Sequence, residues 1–139
     1  MAAELSITSN FTFLTGASHP EEYMRRAALM GLSAIAVADE NSVAGIVRAH
    51  AAAREIAREV AERDAFEAAR GPIGPPAPEG CAPGPSAAIR NVPRLVPAAR
   101  LVPMDGPEIT ALAATREGWA RGCRLLARGR WRAPRGGGA

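Results

Sequence analysis

The hydrophobic and polar positions change rhythm several times along the chain, and each rhythm implies an element. Glu4–Thr8 alternates, which predicts a short strand. Ser9–Gly16 mixes turn formers with Phe11, Phe13 and Leu14, and reads as a loop whose aromatic side chains tuck into the core. Ser18 then offers an N-cap, Pro20 suits a first helical turn and Glu21 can complete a capping box, so a helix is expected to about Met30. Its apolar face takes Tyr23, Met24, Ala27, Ala28 and Met30, and Gly31 stands where a left-handed C-cap belongs. Ser33–Ala38 is a nearly continuous apolar run, the pattern of a strand covered on both faces in a parallel sheet. Asp39–Ser42 is a polar turn in which Asn41 or Ser42 can cap a long helix from Val43 to about Ala69. Val43, Ile46, Val47, His50, Ala53, Ile56 and Val60 make its apolar face, with Arg58/Glu62 and Glu59/Arg63 as i,i+4 pairs on the wet side.

The pattern breaks at Gly71–Pro85, where 10 of 15 residues are Gly or Pro. Neither a helix nor a central strand tolerates that density, so an extended loop is expected. Leu95–Val102 and Glu108–Ala113 are strand candidates around a turn at Met104–Pro107, a hairpin signal. Thr115 caps a last helix to about Ala127, with Trp119, Cys123 and Leu126 on its buried side. A loose Arg- and Gly-rich tail follows. The order strand, helix, strand, helix, loop, hairpin, helix makes the fold α/β. Two or three β/α units cannot close a barrel. The organisation expected is 1–70 as first β/α units, 71–91 as an inserted loop, 92–127 as hairpin and helix, and 128–139 as tail. With the rest of a barrel missing, strand 33–38 would have an unpaired edge, a route to self-association.

Composition adds less than pattern. The 139 residues suffice for one modest domain, and with aromatics at 4% its core must be built from Ala, Val, Ile and Leu. All 17 basic residues are Arg, as a GC-rich coding sequence would give. Residues 1–86 hold 7 Arg against 11 acids, net −4, and residues 87–139 hold 10 Arg against 3 acids, net +7. A basic C-terminal third suits a polyanionic partner. Cys81 and Cys123 stand far apart with no CxxC spacing, which suits a reduced, cytoplasmic setting. The sequence offers no signal-peptide pattern and no apolar run of about 20 residues, so no membrane span is expected.

The candidate chemistry is sparse. Asp39 and Glu40 end a predicted parallel strand, where α/β proteins place their sites. They could hold a metal ion, with His50 as a third partner in a phosphoesterase-like site, or could only solvate the strand end. His19 reads as a helix-start residue and His50 as a packed core histidine; Ser9, Ser18 and Ser42 suit turns and caps. Arg116, Arg121, Arg124, Arg128, Arg130, Arg132 and Arg135 could contact nucleic-acid phosphates, with Arg124, Arg128, Arg130 and Arg132 foremost and Trp131 stacking on a base. They could equally form a solvated helix face and basic tail.

Three collinear blocks carry a resemblance. Ser9–Glu22 (SNFTFLTGASHPEE), Ala34–His50 (AIAVADENSVAGIVRAH), and Pro97–Leu101 with Asp105–Glu108 and the Trp119–Arg132 stretch resemble the start of bacterial error-prone DNA polymerases, of the polymerase III α-subunit or C family. The resemblance implies the first few β/α units of a PHP-type (polymerase and histidinol phosphatase) barrel, with an insertion over residues 57–91. It implies a parent DNA-directed DNA polymerase acting on DNA in repair and damage-tolerant replication, whose palm, fingers and thumb lie outside this sequence. Catalytic PHP domains open with H-x-H, and Ser6 and Thr8 stand there. Glu40 stands where an Asp-His pair needs its His, and Arg100 where a later metal-binding Glu belongs. Hydroxyls are poor ligands and a guanidinium repels a dication. No metal, cofactor or catalytic residue is therefore expected. An Arg100–Asp39 ion pair is expected to organise the strand ends instead, leaving a non-catalytic scaffold.

Overall fold

A computed structural model of the chain describes residues 2–70, 89 and 91–132. Seven elements follow in order: β1 (Ala3–Ile7), α1 (Pro20–Leu29), β2 (Ala34–Val37), α2 (Ala44–Arg70), β3 (Arg94–Leu101), β4 (Ile109–Leu112) and α3 (Arg116–Arg132). The α/β class is as the pattern predicts. The expected loop at 71–91 lies almost entirely outside the described residues.

The strands form one sheet in the order β1-β2-β3-β4, with β1, β2 and β3 parallel and β4 antiparallel to β3. The short apolar run at β2 is thus an inner strand, paired on both sides. This corrects the expectation of an unpaired edge at 33–38: β3 takes the place beside it. Among the described residues, the free edges belong to β1 and β4.

The sheet has two apolar faces, which explains the lack of alternation in β2. Ile35, Val37 and the partly buried Ile7 and Leu95 pack against Met24, Ala27 and Ala28 of α1 and Ile46, Ala49, Ala52 and Ile56 of α2. On the other face Ala36, Ala38 and Ala98 cluster with Val96. Helix α1 begins one residue later than expected. His19 is the N-cap, and its amide N–H donates to the Glu22 carboxylate at 3.0 Å. Its end is as predicted: Gly31 has φ +68°, and the amides of Gly31 and Leu32 bond back to the carbonyls of Ala28 and Ala27, a Schellman pattern. Met30, expected on the apolar face, is the exposed C-cap.

In α2 the buried stripe is rotated from the expected one. Ile46, Ala49, Ala52 and Ile56 face inward, whereas Val47 is 73% exposed and His50 is exposed. The small Ala49 and Ala52 let α1 and α2 approach closely. That contact decides the face, and the helical period then turns Val47 outward. Arg58 and Glu62 pair as expected at 3.8 Å, but Glu59 reaches across to Arg25 of α1 at 2.9 Å and leaves Arg63 to Asp64 and Glu67.

Proline inside a strand normally argues against an interior position, yet Pro97 lies in β3. The bond pattern accounts for it. The Ala113 amide donates to the Pro97 carbonyl at 2.8 Å, while Arg100 exchanges bonds with Asp39 and Asn41 on the β2 side. Pro97, Ala99 and Leu101 therefore face β4, and the missing N–H falls at the last rung of that ladder. Thr115 caps α3, as predicted, with its hydroxyl accepting the Gly118 amide at 3.0 Å. The helix runs to Arg132, five residues past its expected end, so 128–132 is helical and not loose tail.

Candidate functional site

The C-terminal ends of the three parallel strands bring together Ser9, Thr12, Asp39, Glu40 and Arg100. Asp39, just past β2, is only 1% exposed. The Ser9 amide donates to its Oδ1 at 2.7 Å, and the Ser9 hydroxyl lies 2.9 Å from Oδ1 and 2.8 Å from Oδ2. The Thr12 hydroxyl donates to Oδ1 at 3.1 Å. Each hydroxyl also accepts an amide: Phe11 N–H on Ser9 at 3.3 Å and Glu40 N–H on Thr12 at 2.9 Å. One buried carboxylate thus fastens the 9–16 loop to the end of β2.

The first turn of α2 closes over the same group. A Cβ on Gly45 would lie 2.5 Å from Asp39 Oδ2 and 3.1 Å from Ser9 Oγ. The helix N-terminus, with its positive dipole end, therefore adjoins the carboxylate. Three donors, the Ser9 amide and the Ser9 and Thr12 hydroxyls, and a helix end thus surround the Asp39 carboxylate.

Arg100 does not pair with Asp39. Its guanidinium lies 3.5 Å from Glu40 Oε2, and only its backbone reaches Asp39, the amide donating to the Asp39 carbonyl at 3.0 Å. The physical reason is enclosure: Ser9 and Thr12 fill the space around the Asp39 carboxylate, and Glu40 points outward where a guanidinium fits. Asn41, with φ +45°, turns the chain so that its amide bonds the Arg100 carbonyl and its side-chain oxygen accepts the Val102 amide at 3.1 Å. Ser42, not Asn41, supplies the cap of α2.

The other candidates are dispersed. His50 is exposed on α2, not packed in the core. His19 Nδ1 lies 2.9 Å from Asn10 Nδ2 and tethers the loop. Ser6 is exposed, and its amide donates to its neighbour Glu4 at 3.1 Å. Among the described residues no three His, Cys, Asp or Glu side chains gather as a metal site would require. The loop aromatics also depart from expectation. Phe11 lies half-exposed under Arg48, 5.9 Å from the guanidinium, and Phe13 and Leu14 are 85% and 91% exposed. The buried Ser9 and Thr12 take the inward positions, so the loop's core is polar. Both residues read in the sequence as plain turn formers; their three-residue spacing ahead of an acidic strand end was the available signal.

On α3, Arg121, Arg124 and Arg128 recur at three- and four-residue spacing on the side away from Trp119 and Leu126. Arg121 pairs with Glu117, and Arg124 Nε donates to the Ala120 carbonyl at 3.3 Å. The side chains of Arg130, Trp131 and Arg132 lie outside the described ones.

Parallel β/α units with an acid, hydroxyls and an arginine gathered at the strand ends define an α/β segment. No family model matches the chain, but individual proteins match along nearly all of it. An error-prone DNA polymerase from Ruegeria pomeroyi is 44% identical over 142 residues, covering 96% of this chain and 12% of that protein. One from Rhodopseudomonas palustris (strain BisA53) is 36% identical over 135 residues, covering 96% and 9%. One from Ralstonia nicotianae is 64% identical over 53 residues, covering 38% and 5%. Over 96% of its length the chain is similar to error-prone DNA polymerases, and it spans about a tenth of these relatives' length. A solved structure assigned as a metal-dependent phosphoesterase, from Bifidobacterium adolescentis, superposes with a TM-score of 0.47 at 14% identity over 89% of this chain and 32% of its own. No helix among the described residues is long and apolar enough to cross a membrane.

Proposed function

We propose that this segment is a non-catalytic scaffold of an error-prone DNA polymerase, a C-family enzyme that copies damaged DNA. The observation that carries this reading is the environment of Asp39. This buried acid, the natural anchor for a metal at the parallel strand ends, is enclosed by Ser9, Thr12 and the α2 terminus. A dication would have to displace donors that also hold the 9–16 loop, and then share the site with a guanidinium. The test is direct: supply Mn²⁺ or Zn²⁺ to the purified chain, then measure bound metal and hydrolysis of a generic phosphomonoester. Neither retained metal nor turnover is expected. Stoichiometric metal bound through Asp39, abolished by Asp39→Asn, would overturn the reading.

A second role is favoured by the row of Arg121, Arg124 and Arg128, which offers evenly spaced charge to a nucleic-acid backbone. Single-stranded DNA affinity of the chain should fall steeply with salt. Arg124→Glu with Arg128→Glu should weaken it at least tenfold, while Arg54→Glu on α2 should not. Binding insensitive to salt would exclude a phosphate-driven contact.

A further inference from the structure

The chain holds three aspartates, and the structure puts each in a different chemical situation. Asp39 is enclosed. Its carboxylate accepts from Ser9 and Thr12, and the amide that follows it, on Glu40, donates to the Thr12 hydroxyl at 2.9 Å. Asp64 lies inside α2, so the amide after it is committed to the helix ladder, and its carboxylate meets Arg63 at 2.7 Å. Asp105 is exposed in the turn between β3 and β4. Among the described residues no hydrogen bond engages its carboxylate or the amide of the next residue, Gly106.

Gly106 does not serve the turn through its backbone angles. Among the described glycines only Gly31 has a positive φ, and a Cβ on Gly106 would do no more than touch the Pro103 ring at 3.4 Å. What the absent side chain does leave is an unhindered amide nitrogen beside a free carboxyl group. Pro103 and Pro107 fix φ on either side, so the freedom of the turn is concentrated at 104–106.

We propose that Asp105–Gly106 is a site of spontaneous modification, at which Asp105 converts to isoaspartate and the conversion loosens β4. The Gly106 nitrogen attacks the carbon of the protonated Asp105 side-chain carboxyl. A C–N bond forms, a C–O bond breaks, and the amide hydrogen leaves with the hydroxyl as water, closing a five-membered imide. Water then adds to the imide carbon that came from the main chain, and the C–N bond there breaks. The chain now runs through the former side chain, and the former main-chain carbonyl is the free carboxylate. Mass and charge are unchanged and nothing is oxidised or reduced, but the backbone has gained a methylene. That extra length falls in a connection with fixed ends. Leu101 is paired with Ile109, and the Val102 amide is held by Asn41 at 3.1 Å. The misfit falls on β4, whose four residues are all exposed.

The test is ageing of the full 139-residue chain at physiological pH and temperature, followed by peptide mapping and an isoaspartyl methyl-acceptor assay. Isoaspartate should accumulate at position 105 and stay absent at 39 and 64. Gly106→Val should slow it about tenfold, since a β-branched side chain crowds the attacking nitrogen. Asp105→Asn should speed it, because ammonia leaves and no carboxylate charge repels the nitrogen. Asp105→Glu should abolish it, since the ring would need six members. In the isolated isoaspartate form, amide exchange at Ile109–Leu112 should rise while Ile35–Val37 stays protected, and Asp105→Glu aged alike should show no rise. All three substitutions are on exposed turn residues, and an unchanged circular dichroism spectrum checks that each variant folds. No isoaspartate at 105, equal formation at 39 or 64, indifference to Gly106→Val, or unchanged β4 exchange in the modified form would each overturn the proposal.

Discussion

Gly45 has no room for a side chain, and that single fact ties three segments of the chain together. A methyl group there would meet the Asp39 carboxylate, the Ser9 hydroxyl and, at 3.2 Å, the Pro20 ring. Gly45→Ala should destabilise the fold by about 1–3 kcal/mol, the usual cost of overpacking, read as a lower denaturant midpoint with an unchanged m-value. Thr12→Val keeps the shape but removes the donor to Asp39 and the acceptor for Glu40 N–H. It should cost about 1–3 kcal/mol, as a buried polar group left unsatisfied does. Thr12→Ser should recover most of that in the same urea titration. Little of this is legible in the sequence. Asp39 stands out there as the notable acid, but a carboxylate at a strand end reads alike whether it faces water, a cation or a pair of hydroxyls. Only the return of the 9–16 loop decides among them, and that return depends on contacts across 30 residues, the separation of Ser9 from Asp39.

At the scale of elements the sequence is a better guide. All seven can be read from rhythm and punctuation, because Gly31, Ser42 and Thr115 act locally and a cap needs no distant partner. Gly31 is the sharpest case. Nothing lies within 4 Å of where its Cβ would be, so only its φ of +68° resists substitution. Gly31→Ala should cost about 1–2 kcal/mol of left-handed strain, and Gly31→Asn less, in a comparison of thermal midpoints. What rhythm misjudges is orientation. In α2 a scale that ranks Val above Ala assigns Val47 to the core, whereas close helix contact selects the smaller side chain at Ala49. In the 9–16 loop the aromatics look like core residues, yet the buried positions go to groups that can satisfy a carboxylate.

For the molecule as a whole, stability is unevenly shared. The main cluster joins α1, α2 and β2, while among the described residues α3 adds to it only the partly buried Trp119. Cooperative opening should therefore begin at the β4–α3 end. Amide exchange is expected to be slowest at Ile35–Val37 and fastest, among helical residues, along α3. Equal protection of β2 and α3 would show a single cooperative unit instead. No local rhythm could reveal this division, since β3 pairs with β2 from more than 50 residues further along the chain, as Ile35 with Leu95.

Pro97 has a meaning for folding beyond the rung it leaves half-made. Where it stands, opposite Ala113 just beyond β4, the missing donor costs one bond at a ladder's end. A hairpin closed two residues shorter would set Pro97 against Ala111 and strand a carbonyl in mid-ladder. The imino acid thereby acts as a ratchet stop: it tolerates one alignment of β3 with β4 and penalises its nearest competitor. The connection between these strands keeps its length because one residue cannot donate.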